Sequence, residues 1–144
     1  MRSLIVDDSS ISRSILKKIL SSYGECEMAS SGKEALEAYA RSLTENCPYD
    51  LITLDITMPD LNGTETLRHI RRIEGEHGIK EKVKIVMVTS HAEKDYVLKA
   101  VRLCDGYIAK PFDPDLVSKK VSKLGLPREE GAKPPPPWNP DDIH

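Results

Sequence analysis

Residues 50–55 read Asp50-Leu51-Ile52-Thr53-Leu54-Asp55. The run is apolar except for Thr53 and its acidic ends, and it is followed by a loop punctuated by Pro59 and Asn62-Gly63. Near-continuous apolar character over so few residues predicts a strand buried on both faces, at the centre of a parallel sheet.

Outward from that strand, strand and helix patterns alternate. On the amino-terminal side, Ser3–Asp7 (SLIVD) is a short buried strand, followed by a helix with Ile11, Ile15 and Ile19 on one stripe and broken at Gly24. Glu25–Ala29 is a second, more polar strand. Ser31 with Glu34 three residues later has the form of a capping box, and Leu36, Tyr39, Ala40 and Leu43 give the helix after it an apolar face. On the other side, a helix with Leu67, Ile70 and Arg71 runs to about Glu74. Gly75–Lys82 is polar and loose, and Val83–Thr89 (VKIVMVT) is a fourth strand. Val97, Ala100, Val101 and Cys104 again have helical spacing, and Tyr107–Ala109 is a fifth short strand. Asp113 caps a last helix with Pro114 at its first position and Val117, Val121 and Leu124 on its apolar face.

Five β-α repeats predict an α/β fold, a parallel sheet with helices on both faces. Right-handed crossovers bring the carboxyl ends of all strands to one edge, where ligands of such sheets sit.

Composition narrows the classes. With 144 residues there is room for one domain. The net charge of −2 argues for neither a nucleic-acid nor a membrane surface. No apolar stretch approaches the about 20 residues of a membrane helix, and the apolar start Leu4–Val6 is too short for a signal peptide. A cytoplasmic protein is expected. Cys26, Cys47 and Cys104 are widely spaced, which predicts small buried residues rather than a disulfide framework or a zinc site. Residues 125–144 hold six of the ten prolines, including Pro134–Pro137, and the only tryptophan, Trp138. They read as an extended or disordered tail, a spacer more than a polyproline ligand.

The polar groups at the carboxyl edge form a set: Asp7-Asp8 after the first strand, Asp55 after the third, Thr89-Ser90 after the fourth, and Lys110-Pro111 after the fifth. Three carboxylates held together repel one another unless a cation offsets their charge. Mg²⁺ prefers oxygen ligands and keeps room for phosphate oxygens. Such a trio beside a lysine and a hydroxyl suits phosphoryl transfer: Lys110 supplies a second positive charge, Thr89 a donor, and Asp55 a nucleophile that forms an acyl phosphate. Singly, each residue has a plainer reading. An aspartate ending a strand is often a turn or cap residue, with Asp8 or Ser9 able to cap the first helix. Lys110 alone is solvated surface, and Thr89 alone is an ordinary strand residue.

Asp7-Asp8 after Leu4-Ile5-Val6, Asp55 followed by Met58-Pro59 and Asn62-Gly63, Thr89 after an apolar strand, and Tyr107 three residues before Lys110-Pro111 resemble the receiver domains of response regulators. Within that family the pattern is similar to the single-domain chemotaxis type. The resemblance covers residues 1–124 and leaves the tail, 125–144, outside. It implies a flavodoxin-like, doubly wound five-stranded sheet of order 2-1-3-4-5. It implies that Asp55 is the phosphoacceptor and that a sensor histidine kinase or a histidine phosphotransfer protein is the donor. Asp8 and Asp55 would bind Mg²⁺ directly, with the backbone carbonyl of Thr57 as a third protein ligand and Asp7 acting mainly through a metal-bound water. Thr89 and Tyr107 look like the switch pair, and the Lys110-Pro111 bond would be cis. The face built from the helix near Ala92–Leu103, the strand Tyr107–Ala109 and the helix Pro114–Leu124 would be read by a downstream protein partner. Lys94, Lys99, Lys119, Lys120 and Lys123 on it fit an acidic partner or simple solvation. His91 and Thr57 occupy positions that in this family border the phosphoryl group. The resemblance further implies a protein that catalyses only its own phosphorylation and dephosphorylation, as a monomer or a weak phosphorylation-dependent dimer.

Other readings are an intermediate in a phosphorelay and a pseudo-receiver that is never phosphorylated. A pseudo-receiver would be favoured by the lack of Asp8, Asp55 or Lys110, and all three are present. A Mg²⁺-dependent phosphatase would need a second aspartate where Thr57 stands. A nucleotide or flavin module would need glycine in the first strand-to-helix turn, which is Asp7-Asp8-Ser9-Ser10.

Overall fold

In the computed structural model, Leu51–Asp55 forms β3, and all five of its residues are buried, as the apolar run predicts. The structure describes residues 1–56, 58, 60–89 and 102–126. Around β3 lie β1 (Arg2–Val6), β2 (Glu25–Ala29), β4 (Lys84–Thr89) and β5 (Gly106–Ala109), in the order β2-β1-β3-β4-β5. Every neighbouring pair is parallel. Among the described residues the helices are α1 (Ser10–Leu20), α2 (Gly32–Thr44), α3 (Gly63–Glu76) and α4 (Pro114–Lys123). Most of the helix expected near 92–103 lies outside the described residues.

Successive strand residues point to opposite faces, and the core divides accordingly. Leu4, Val6, Ile52, Leu54, Ile85 and Met87 pack on one face with Ala35, Tyr39, Leu67 and Ile70 of α2 and α3. Ile5, Val86 and Val88 pack on the other with Leu16 and Leu20 of α1 and Val117 and Val121 of α4. Each such side chain stabilises the fold by about 1.5–3 kcal/mol through removal from water. Leu126 packs against the second cluster too, two residues past the boundary expected at 124. The switch between faces falls at β1 and β3, which carry the acidic residues at their ends.

Helix starts follow the sequence closely. Ser9, Ser31, Asn62 and Asp113 cap α1 to α4, their side-chain oxygens accepting the N–H of Ser12, Glu34, Glu65 and Asp115. The capping box is displaced by one residue, because the Glu34 carboxylate accepts from the N–H and hydroxyl of Ser30 rather than from Ser31.

Several expectations are corrected. In α1 the buried residues are Leu16, Ile19 and Leu20, while Ile11 is 54% exposed, so the face turned to the core differs from the expected isoleucine stripe. In α2 the buried face is Ala35, Ala38, Tyr39 and Ser42, one step round from the expected one, and Ala40 faces solvent. Helix α3 continues past the expected end near Glu74, through Gly75 to Glu76, and Glu74 within it is completely buried. Its carboxylate accepts the Val83 N–H at 2.8 Å and Arg71 Nη1 at 2.7 Å. Arg71 also donates to the carbonyls of Val83 and Leu103 and to Asp105. Cys47 is exposed and Cys26 and Cys104 only partly buried, so the cysteines are not core residues; all three are free thiols.

Candidate phosphoryl and cation site

The register Val6↔Leu54, Asp55↔Val88 and Thr89↔Ala109 aligns the strand ends, so that the residues following them share one edge. Asp7, completely buried, follows β1. Its N–H donates to the Ala29 carbonyl at 3.1 Å, and its Oδ1 accepts the Ser9 N–H at 2.9 Å. Asp8 next to it is exposed. Asp55 closes β3 with 3% of its surface exposed. Ile56 is pinned by its N–H to the Val88 carbonyl at 3.1 Å and by its carbonyl to the Gly63 N–H at 2.8 Å. Gly63 comes so near that a Cβ on it would lie 2.3 Å from the Asp55 carbonyl oxygen, which accounts for glycine at the end of the Asn62-Gly63 pair.

Lys110 enters from β5, its N–H donating to the Thr89 carbonyl at 2.8 Å, and the Lys110–Pro111 bond is cis as expected. Its ammonium lies 3.3 Å from Asp7 Oδ2 and 3.4 Å from Asp55 Oδ2. Carboxylate oxygens of Asp7, Asp8 and Asp55 all lie within 4.8 Å of one another. One ammonium thus pairs with two members of a cluster of three carboxylates. Burial, followed by the charge of Asp7, pushes the Asp55 carboxyl up to about 7 against the opposing pull of Lys110. Burial works to lower Lys110, but Asp55 and Asp7 outweigh it and hold the ammonium above its usual value.

Two observations fit a hard divalent cation. Asp7 Oδ2 is buried and accepts no hydrogen bond, its contact with Lys110 being an ion pair only. The donor set is all carboxylate oxygen, with one member, Asp8, open to solvent. Thr89 is buried at the end of β4 on the same edge. Tyr107 is elsewhere: the residue is 53% exposed on β5, with the Lys120 ammonium 5.6 Å from its ring centre. Thr57, Ser90 and His91 lie outside the described residues.

Sequence reasoning overlooked two side chains that brace these loops. Arg13 Nη1 donates to the Asp7 carbonyl at 2.6 Å. Asp60 Oδ2 accepts the Lys33 N–H at 3.2 Å, tying the loop after β3 to the start of α2. The only available signal for Arg13 was its place one turn past Ser9, and for Asp60 its place beside Pro59 in a turn.

A profile of the response regulator receiver domain family matches residues 3–122. The chemotaxis protein CheY of Thermotoga maritima is 31% identical over 126 residues, covering 85% of this chain and 96% of that protein. Hybrid signal transduction histidine kinase I of Dictyostelium discoideum is 33% identical over 121 residues, 83% of this chain but only 7% of the kinase. The receiver domain of the Arabidopsis thaliana histidine kinase CKI1, solved in complex with Mg²⁺, superposes with a TM-score of 0.75 at 28% identity, covering 85% of this chain and 90% of that one. The receiver domain of Ssk1 from Saccharomyces cerevisiae, solved with the histidine phosphotransfer protein Ypd1, belongs to a structure matching with a TM-score of 0.74 at 28% identity, over 87% of this chain and 88% of the matched chain.

Proposed function

Because the chain belongs to the response regulator receiver domain family, we propose that Asp55 accepts a phosphoryl group from a phosphorylated histidine and that the protein relays this event to a partner through a change of surface. The observation that carries this reading is the Lys110 ammonium 3.4 Å from the buried Asp55 carboxylate, within a group of three carboxylates.

In the transfer, an Asp55 carboxylate oxygen forms the bond to phosphorus as the donor's N–P bond breaks, and the electron pair stays with the leaving imidazole. Lys110 offsets charge on Asp55 before the transfer and on the phosphoryl oxygens after it, a preorganised electrostatic role. Asp8 and Asp55, with the Thr57 carbonyl, would hold Mg²⁺, and Asp7 would act on it mainly through water while pairing with Lys110. Mg²⁺, when bound, neutralises negative charge on the phosphoryl oxygens and the carboxylates. Thr89 donates to a phosphoryl oxygen.

Thr89 and Tyr107 form the switch. Contact of Thr89 with the phosphoryl group favours one of two states, and Tyr107 turns inward in that state, carrying its ring away from solvent. The surface that changes includes β5 and α4, where Leu116 is 60% exposed and Lys119, Lys120 and Lys123 stand near Tyr107. This fits an acidic partner. The donor is a sensor histidine kinase or a histidine phosphotransfer protein, in keeping with the hybrid kinase and the Ypd1–Ssk1 pair among the similar proteins. Residues 1–124 act as the receiver and 125–144 as a tail, and the protein works in the cytoplasm as a monomer or a weak phosphorylation-dependent dimer. Among the described residues no helix is long and apolar enough to cross a membrane.

Acetyl phosphate with Mg²⁺ is expected to label the protein, and Asp55→Asn to abolish the label, read on a phosphate-affinity gel. Undiminished labelling of the variant would remove Asp55 from the role, and absence of labelling in the unaltered protein would favour a pseudo-receiver.

A further inference from the structure

The turn carrying Asp7 and Asp8 is held from three directions. Two are local or belong to the sheet: Asp7 N–H to the Ala29 carbonyl, and Ser9 N–H to Asp7 Oδ1. The third comes from a side chain six residues on, where Arg13 Nη1 donates to the Asp7 carbonyl at 2.6 Å. Arg13 is partly buried, and its charge also reaches Glu34 at the start of α2. Asp8 is exposed, and no described residue donates a hydrogen bond to its carboxylate. The aim of Asp8 therefore depends on its backbone. In a planar trans peptide the carbonyl of one residue and the N–H of the next point in opposite directions. A grip on the Asp7 carbonyl thus fixes the plane from which the Asp8 side chain departs.

We infer that Arg13 is a positioning residue for the cation site, holding the Asp7–Asp8 peptide so that the Asp8 carboxylate stays directed toward Asp7 and Asp55. This rests on the proposed cation site. Charge and grip act in opposite directions here. A guanidinium beside an acidic cluster repels a second cation, so removal of its charge alone would tighten Mg²⁺ binding. Removal of the grip frees Asp8 to leave the cluster and weakens binding. The sign of the change therefore separates the two roles.

The test uses the full chain with Arg13→Ala, Arg13→Lys and, as a control on the exposed side of the same helix, Lys17→Ala. Mg²⁺ affinity is read by titration of amide resonances, and the metal-free Asp7 turn by hydrogen exchange of the Ser9 amide. Arg13→Ala is expected to weaken Mg²⁺ binding about tenfold, the low end for residues that act on a metal through its ligands, and to speed Ser9 exchange. Arg13→Lys, which keeps one donor, is expected to recover part of both effects, and Lys17→Ala to leave both unchanged. Unchanged or tighter Mg²⁺ binding in Arg13→Ala, or equal weakening in Lys17→Ala, overturns the inference. If Arg13→Ala does not fold, Arg13→Lys against Arg13→Gln decides on the same readouts. Failure of the unaltered protein to bind Mg²⁺ would sink the site reading instead, while unchanged Ser9 exchange would by itself sink the grip.

Discussion

The Lys110 ammonium stands 3.4 Å from the Asp55 carboxylate, although 55 residues separate the two in the chain. They meet because β5 and β3 flank β4 and end on the same edge. Replacing Lys110 by Ala removes the ammonium that pairs with Asp55, the proposed phosphoacceptor. The rate of labelling by acetyl phosphate is expected to fall on the order of a hundredfold to a thousandfold, the range for loss of one preorganised donor. A time course of labelling at saturating Mg²⁺ checks this, and an unchanged rate would leave Lys110 without the role.

Asp55 provides a pH signature. Burial and Asp7 push its carboxyl up to about 7, well above the 3.8 of a free aspartate. A proton held more tightly in the folded state stabilises folding, an effect complete below about pH 4 and lost as the pH rises through about 7. Without metal, the gap in Tm between Asp55→Asn and the unaltered protein should therefore widen in favour of the variant from about pH 5 to about pH 8. A gap that does not change with pH would contradict this.

Mg²⁺ should reverse that penalty. A ligand that binds only the folded state adds about 2.7 kcal/mol at 100 times its Kd, or roughly 8 °C in Tm for a domain of this size. Asp8→Asn is expected to lose most of the shift because it removes a member of the carboxylate group. Differential scanning calorimetry with and without Mg²⁺ measures both, and an undiminished shift in Asp8→Asn would take that residue out of the site.

Gly63 packs on the backbone of Asp55, the proposed phosphoacceptor. A Cβ there would meet the Asp55 carbonyl at 2.3 Å and the Ile56 Cα at 2.8 Å. Because the obstacle is backbone, Gly63→Ala should cost about 1–3 kcal/mol and slow labelling as Asp55 is displaced. Urea denaturation and the labelling time course give the two values.

Glu74 is a buried carboxylate braced by Arg71 and the Val83 N–H. Its neighbour Tyr39 has its hydroxyl pushed up by burial and by Glu74 itself. Truncating Glu74 to Ala leaves the Arg71 guanidinium without its buried partner and should cost about 3–5 kcal/mol. Arg72→Ala, on the exposed side of the same helix, should stay within about 0.5 kcal/mol. Urea midpoints at constant slope distinguish the two, and equal losses would refute a special role for Glu74.

The parts legible in sequence were those with strong local signals. The apolar run at 51–54, broken only by Thr53, marked a strand buried on both faces, and Ser9, Ser31 and Asp113 marked helix starts, because a cap depends only on residues within one turn. The acidic and basic strand ends were legible as a set, since in a parallel sheet chain order alone assigns them to one edge. Helix faces were less legible. Ile11 and Leu16 are both apolar on α1, yet only Leu16 reaches the sheet. The burial of Glu74 was not legible at all, because its partners, Arg71 and the start of β4, meet it only after folding.

The sequence by itself determined the order of elements, their buried strands, their capped starts and the chemistry carried at each strand end, because periodicity, turn residues and residue type are properties of short stretches of chain. Tertiary structure alone decided that Arg13 grips Asp7, that Glu74 is buried with Arg71, that Gly63 abuts Asp55, and that burial and the nearby Asp7 together push Asp55 up to about 7 against the pull of Lys110. Those relationships depend on distances of a few ångströms between segments far apart in the chain, and both Coulomb energy and steric contact are settled at that scale.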